Sequence, residues 1–257
     1  MTVGAVIQGT EESLAPARKR LHGIDALRGI AIIMMIVYHF AWDLQYLRLV
    51  QIHLLTDPWW HRFALFIAGS FIFLTGVGQV LSFRAGFSAR RFLKRLAVIA
   101  ASAGLITLGT LFAVPEGYVF FGILHCIAVS AVLGLPFLWL PAPVTAAAGV
   151  FALAAPSLFA SEAFAAKWLW WLGLMTFRPS TYDYVPILPW FGWALLGIAA
   201  TRIAFAVSPR TEVLLAWRPQ FHPWHGVEWL GRHSLAVYLL HQPVMFGALW
   251  ALAWLVR

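Results

Sequence analysis

Seven apolar stretches of 19 to 23 residues divide this chain of 257, at 27–47, 61–83, 96–114, 118–140, 143–161, 185–206 and 234–256. Coiled as an α-helix, a stretch of about 20 residues matches the hydrocarbon thickness of a bilayer. Inside lipid no water reaches the backbone, so each stretch must satisfy its own N–H and C=O groups as a helix or close into a barrel. Barrel strands are short and alternate in polarity, and runs such as Gly29–Val37 do not. The expected fold is all-α, a polytopic transmembrane bundle of about seven spans. Only 11% of the residues are charged, against about 25% in soluble domains. That scarcity excludes a soluble globular enzyme, a disordered chain and a secreted disulfide scaffold. Residues 1–20 are polar and lack the apolar run of a signal peptide, so they read as a short cytoplasmic tail. Residues 21–257 show no shift in composition and read as a single transmembrane domain.

The net charge of +8 invites a nucleic-acid reading, but the distribution of the cations argues against it. With the N-terminus in the cytoplasm, 13 Lys and Arg residues fall on the inner side, among them Arg28, Arg84, Arg90, Arg91, Lys94, Arg95, Arg202 and Arg232. The outer side holds 5: Arg48, Arg62, Lys167, Arg178 and Arg257. This is the positive-inside asymmetry of a membrane protein, and an odd number of spans places the C-terminus outside. No nucleic-acid partner is expected. The lone Cys126 allows no internal disulfide and no multi-cysteine metal site, and no tightly bound metal or cofactor is expected. The Trp-rich stretch 167–184 reads as an interfacial helix or re-entrant loop on the outer face.

Against so apolar a background, ionisable groups at bilayer depth stand out as functional candidates. His39 and Asp43 are spaced i, i+4 and share one helix face, where a carboxylate could orient the imidazole as a general base. His39 lies about 15 Å beyond Gly29 at 1.5 Å per residue. His125 and His241 sit in the fourth and seventh stretches at similar depth, and a proline, Pro243, follows His241 by two positions. With Asp183 and Arg178 in the outer loop, these groups suggest one polar pocket that opens outward and binds a polar acceptor. At the inner end of the first stretch, Asp25 and Arg28 are spaced i, i+3. With the loop from Arg84 to Arg95, they offer a basic surface suited to donor phosphates.

These residues lie in stretches that resemble the heparan-α-glucosaminide N-acetyltransferase catalytic-domain family. The stretches are 24–35 (IDALRGIAIIMM), 38–44 (YHFAWDL), 66–76 (FIAGSFIFLTG), 122–127 (GILHCI), 183–193 (DYVPILPWFGW) and 230–243 (LGRHSLAVYLLHQP). The resemblance implies acyl transfer across the membrane, from acetyl-CoA as cytoplasmic co-substrate to an amine or hydroxyl of a sugar-like or glycolipid acceptor outside. It implies a histidine near the outer end of the first span as the working base. His39 fits that role through Asp43, and His53 in the following loop is the alternative. His125 or His241 would donate a hydrogen bond to the developing oxyanion. Two other classes remain open on the residues alone: a transporter, flippase or non-catalytic membrane protein, and a bis-histidine membrane cytochrome.

Overall fold

The computed structural model describes residues 21–51, Leu54 and 56–256. The N-terminal tail, His53 and Arg257 lie outside the described residues. Among those described, the helices in chain order are α1 (His22–Tyr46), α2 (Pro58–Arg84), α3 (Ala89–Ala113), α4 (Ile123–Leu133), α5 (Ala142–Phe159), α6 (Ile187–Val207), α7 (Arg210–Ala216), α8 (His222–Arg232) and α9 (Ser234–Val256). Six of them, α1, α2, α3, α5, α6 and α9, are long and apolar enough to cross a membrane. The fold is therefore a polytopic all-α bundle, and the protein is an integral membrane protein.

The fourth apolar stretch corrects the expectation of a seventh spanning helix. Its helix α4 has 11 residues, which at 1.5 Å each cover about 16 Å, roughly half a hydrocarbon core. Gly122 and the Gly134-Leu135-Pro136 turn bracket it. Proline cannot continue the hydrogen-bond ladder, and Pro136 instead opens a short 3-10 turn, Pro136–Leu138. On the other side, residues 118–122 run extended beside the loop before α6. Val185 N–H donates to Phe121 O at 3.1 Å and Tyr182 N–H to Gly117 O at 3.0 Å, and Phe121 and Tyr184 form an isolated parallel bridge. The stretch still runs from one end of the bundle to the other. Near its start, His125 meets Thr107 late in α3. Near its end, Gln79 late in α2 donates to Ala131 O at 2.6 Å, and Arg202 late in α6 donates to Phe137 O and Leu140 O.

Helix starts follow local chemistry. Pro58 opens α2, where Asp57 accepts from Trp59 N–H at 2.8 Å. An N-cap acid and a proline at the first position both suit the unpaired donors of a helix start. Small residues then let helices meet closely, as membrane packing favours. Gly76 of α2 faces the Ala194 carbonyl of α6, and Gly231 of α8 faces the Asp25 carbonyl of α1, where a Cβ would collide with backbone. The main core gathers around α6, with Phe191, Ala194, Leu195 and Ile198 buried beside Ile72, Val80, Ile123 and Cys126.

These contacts sort the molecule into two ends. Arg28, Arg84, Arg95, Arg202, Arg218 and Arg232 gather at one, called here the basic end. Asp43, Arg178 and Asp183 lie at the other, the far end. The stretch expected at the interface forms a six-residue 3-10 helix, Lys167–Leu172, at the far end, with Trp168 74% exposed. Helix α8 packs across the start of α1 at the basic end, and its Glu228 is fully buried.

Candidate functional site

Helices α1 and α9 run side by side and join through two side-chain hydrogen bonds, between the second half of α1 and the first half of α9. His39 Nδ1 lies 3.3 Å from His241 Nε2, and Gln242 Nε2 donates to Asp43 Oδ1 at 2.6 Å. The structure thus brings together three expected residues, His39, Asp43 and His241, and adds Gln242. It also corrects their pairing. Asp43 does not orient His39 despite the i, i+4 spacing, because the neighbouring helix supplies the partner for each: His241 for His39, Gln242 for Asp43.

The backbone contacts of the two rings assign their tautomers. His241 Nδ1 lies 2.7 Å from Tyr238 O. A carbonyl only accepts, so Nδ1 carries the proton and Nε2 of the neutral ring offers its lone pair. His39 Nδ1 lies 2.9 Å from Met35 O, so it too carries the proton and shares it between Met35 O and His241 Nε2. The consequence is that His39 Nε2 holds a free lone pair, with no hydrogen-bond partner among the described residues. His241 has no N–H left to donate, which corrects its expected role as an oxyanion donor.

Asp43 is 0% exposed, yet its Oδ2 has no hydrogen-bond partner among the described residues, and neither does the buried Oε1 of Gln242. An unsatisfied buried acceptor costs about 1–3 kcal/mol. Two of them sit on one pair, one turn from the free imidazole lone pair of His39. Beyond Asp43, toward the far end, a cavity of about 420 Å³ opens between α1 and α9, lined by Tyr46, Leu47, Arg48, Trp250, Ala253 and Trp254.

His125 and Asp183 form a second, separate constellation. Gly122 N–H donates to His125 Nδ1 at 3.2 Å, so the ring proton sits on Nε2, 3.2 Å from Thr107 Oγ1. The Thr107 hydroxyl passes its own proton to Val119 O at 2.7 Å. Asp183 Oδ2 accepts from Ile123 N–H at 2.9 Å. Both side chains therefore cap the start of α4 and hold the extended segment against α3. Burial raises the Asp183 carboxyl above its ordinary range, against the pull of the Ile123 N–H and the Arg178 charge. Arg178 itself stays exposed. His125 has no free N–H for an oxyanion, a second correction. No hydrogen bond or ion pair links this constellation to His39 among the described residues. Tyr238 packs against both groups of residues, touching the cores around Met35 and around Ile123.

At the basic end, Arg28 pairs with Asp25 at 3.9 Å, as the i, i+3 spacing predicts. Arg95 of α3 joins them. A Cβ placed on Gly78 of α2 would stand 2.9 Å from Arg28 Nη2 and 3.8 Å from Arg95 Nη1. Two guanidinium groups thus converge over a glycine that leaves them room, with the Asp25 carboxylate beside Arg28. The sequence gives no sign of Gly78 or of Gln242, because a glycine and an amide carry no charge to flag. Glu228 also escapes sequence reading. It accepts from Arg218 Nε at 3.1 Å and Arg232 Nη2 at 3.1 Å, with His22 Nδ1 at 3.3 Å.

Among the described residues no group of three or more His, Cys, Asp or Glu side chains is placed to hold a metal. The chain matches no curated protein and no solved structure. A match does come from the family described as heparan-alpha-glucosaminide N-acetyltransferase, catalytic, and it covers residues 20–243. That span takes in α1 to α8, the start of α9 and every residue of the sites above except Trp250, Ala253 and Trp254 of the cavity wall, so the chain belongs to this family of membrane-embedded acyltransferases.

Proposed function

We propose that the protein moves an acetyl group from acetyl-CoA, bound at the basic end, to an amine or hydroxyl of a sugar-like acceptor bound at the far end. The observation that carries this reading is the free Nε2 lone pair of His39, fixed by His241 and Met35, one turn from two unsatisfied acceptors. The acceptor's N–H or O–H groups bind Asp43 Oδ2 and Gln242 Oε1. His39 Nε2 takes the proton of the attacking group as it adds to the thioester carbonyl. The tetrahedral intermediate then collapses, the C–S bond breaks, and the imidazolium returns its proton to the departing thiolate. His241 acts as a positioning residue. Its Nε2 accepts more strongly from Nδ1–H once His39 is charged, the task a carboxylate performs in serine hydrolases.

Arg28 and Arg95 bind the donor phosphates, since a guanidinium matches phosphate in shape and charge. Arg28 stands 11 residues before His39 on the same helix, about 16 Å at 1.5 Å per residue, a gap for the donor's long thioester arm. The basic end is then cytoplasmic and the far end outside, with the N-terminus in and the C-terminus out. His125, Asp183 and Arg178 shape the far-end wall through α4. A haem between His39 and His241 conflicts with the direct contact of their rings, whose centroids are 4.9 Å apart.

The test is acetyl-CoA-dependent acylation of amino sugars and sugar alcohols by the full chain in proteoliposomes. His39→Gln should abolish turnover while the protein still extracts and melts like the parent. Full activity in His39→Gln would end this assignment. Acceptor movement without donor consumption would favour a transporter instead.

A further inference from the structure

A second cavity lies at the basic end, between α2, the turn Pro136–Leu138 and α6. It measures about 270 Å³, and its walls include Val80, Phe83, Arg84, Leu138, Arg202 and Phe205. Arg84 belongs to the basic loop expected to serve the donor, yet its guanidinium turns the other way. It stacks over Phe205 of α6, with Cζ 4.3 Å from the ring centre. Arg202 uses Nη1 to tie down the carbonyls of Phe137 and Leu140. That anchorage fixes its head group and leaves Nε and Nη2 without an acceptor among the described residues. No ion pair joins Arg84 or Arg202 to a carboxylate there.

Two fixed, uncompensated cations therefore face an aromatic and aliphatic wall, in a cleft between helices that are long enough to span the membrane. Basic pockets of this kind on the positive side of a membrane protein suit anionic lipid head groups. The volume equals that of roughly nine water molecules, room for a phosphate and its glycerol but not for acyl chains. Outside it, Trp139, Ile203 and Val207 are 63%, 44% and 78% exposed and offer an apolar surface for those chains. A free phosphate would make no use of this wall, and the donor's phosphates have their own pair in Arg28 and Arg95. We propose that the cavity binds one anionic phospholipid, its phosphate held by Arg84 and Arg202 and its chains lying along α6 and Trp139.

Native mass spectrometry of the full chain, released from nanodiscs that mix phosphatidylglycerol with phosphatidylcholine, tests this. The parent should retain one phosphatidylglycerol in preference to phosphatidylcholine. One cation near a membrane surface contributes about 1 kcal/mol of lipid attraction, so Arg84→Gln should lower that retention about fivefold. Phe205→Leu removes the ring beneath Arg84 but keeps an apolar wall, and should lower retention about twofold. It guards against a folding effect of the charge change. Arg90→Gln, an exposed cation at the same end, should leave retention unchanged. Equal retention of both lipids, or of phosphatidylglycerol by the parent and Arg84→Gln, would overturn the proposal. So would an equal loss in Arg90→Gln, which means diffuse surface charge, or release of the lipid by millimolar inorganic phosphate, which means a plain anion site.

Discussion

Glu228 and Asp43 are both carboxylates with no exposed surface, and the bundle treats them in opposite ways. Glu228, at the basic end, receives Arg218, Arg232 and His22 on its two oxygens. Asp43, toward the far end, receives one amide N–H and keeps its second oxygen unpaired. A buried charge surrounded by partners is a structural fastener. Here it clamps α8 and the segment after α7 to the start of α1. A buried charge left half-satisfied costs stability unless a ligand completes it. The difference separates an end fastened by a fully paired carboxylate from one that keeps an unpaired buried acceptor.

The sharpest way to break this contrast is at the ring beside Asp43. His39→Gln removes the free lone pair, and the acetylation rate should fall by about two to four orders of magnitude, measured as turnover in proteoliposomes with thermal stability unchanged. The carboxylates themselves should respond with opposite signs. Glu228→Ala leaves two guanidinium groups and the His22 imidazole around an empty buried position. It should destabilise the fold by about 3 kcal/mol, read as a lower melting temperature in detergent, with activity per folded molecule retained. Asp43→Asn instead gives Gln242 Oε1 a donor. Stability should hold or rise by about 1 kcal/mol while turnover drops. If Asp43→Asn destabilises as strongly as Glu228→Ala, the two sites are alike and the contrast fails.

Acid sharpens the same comparison. Burial raises the Glu228 carboxyl, but hydrogen bonds and charge from Arg218 and His22 outweigh it and hold the group below its ordinary value. A depressed carboxylate contributes stability that is complete above its unfolded value of about 4.3. That stability is lost as pH falls through the folded value. Acid unfolding of the parent below about pH 4 should therefore be steeper than that of Glu228→Gln, which has no such proton to bind. The smallest expected effect is at the basic end. Gly78→Ala places a Cβ against Arg28, and should raise the KM for acetyl-CoA by about fivefold, the equivalent of roughly 1 kcal/mol of lost phosphate contact, with kcat unchanged. A parent-like KM would remove Arg28 and Arg95 from the donor site.

The membrane bundle was legible because lipid leaves an apolar stretch of 20 residues almost no choice but a helix. His39, Asp43 and His241 were legible for the related reason that ionisable groups at such depth are rare and costly. The fourth stretch misled, since hydropathy measures the greasiness of 118–140 and is blind to the Gly122 and Gly134-Leu135-Pro136 breaks that shorten its helix. His125 by its depth and Asp183 by its place in the outer loop looked like pocket residues, and their capping of α4 follows from that break.

Sequence by itself determined the class of protein, the basic end and the short list of ionisable groups, because each rests on composition and period along one helix. Tertiary structure alone decided who partners whom. Which nitrogen of His39 is free depends on Tyr238, Met35 and His241, contributed by two helices about 200 residues apart in the chain. Hydrogen bonds have direction, and direction across helices exists only once the helices are packed.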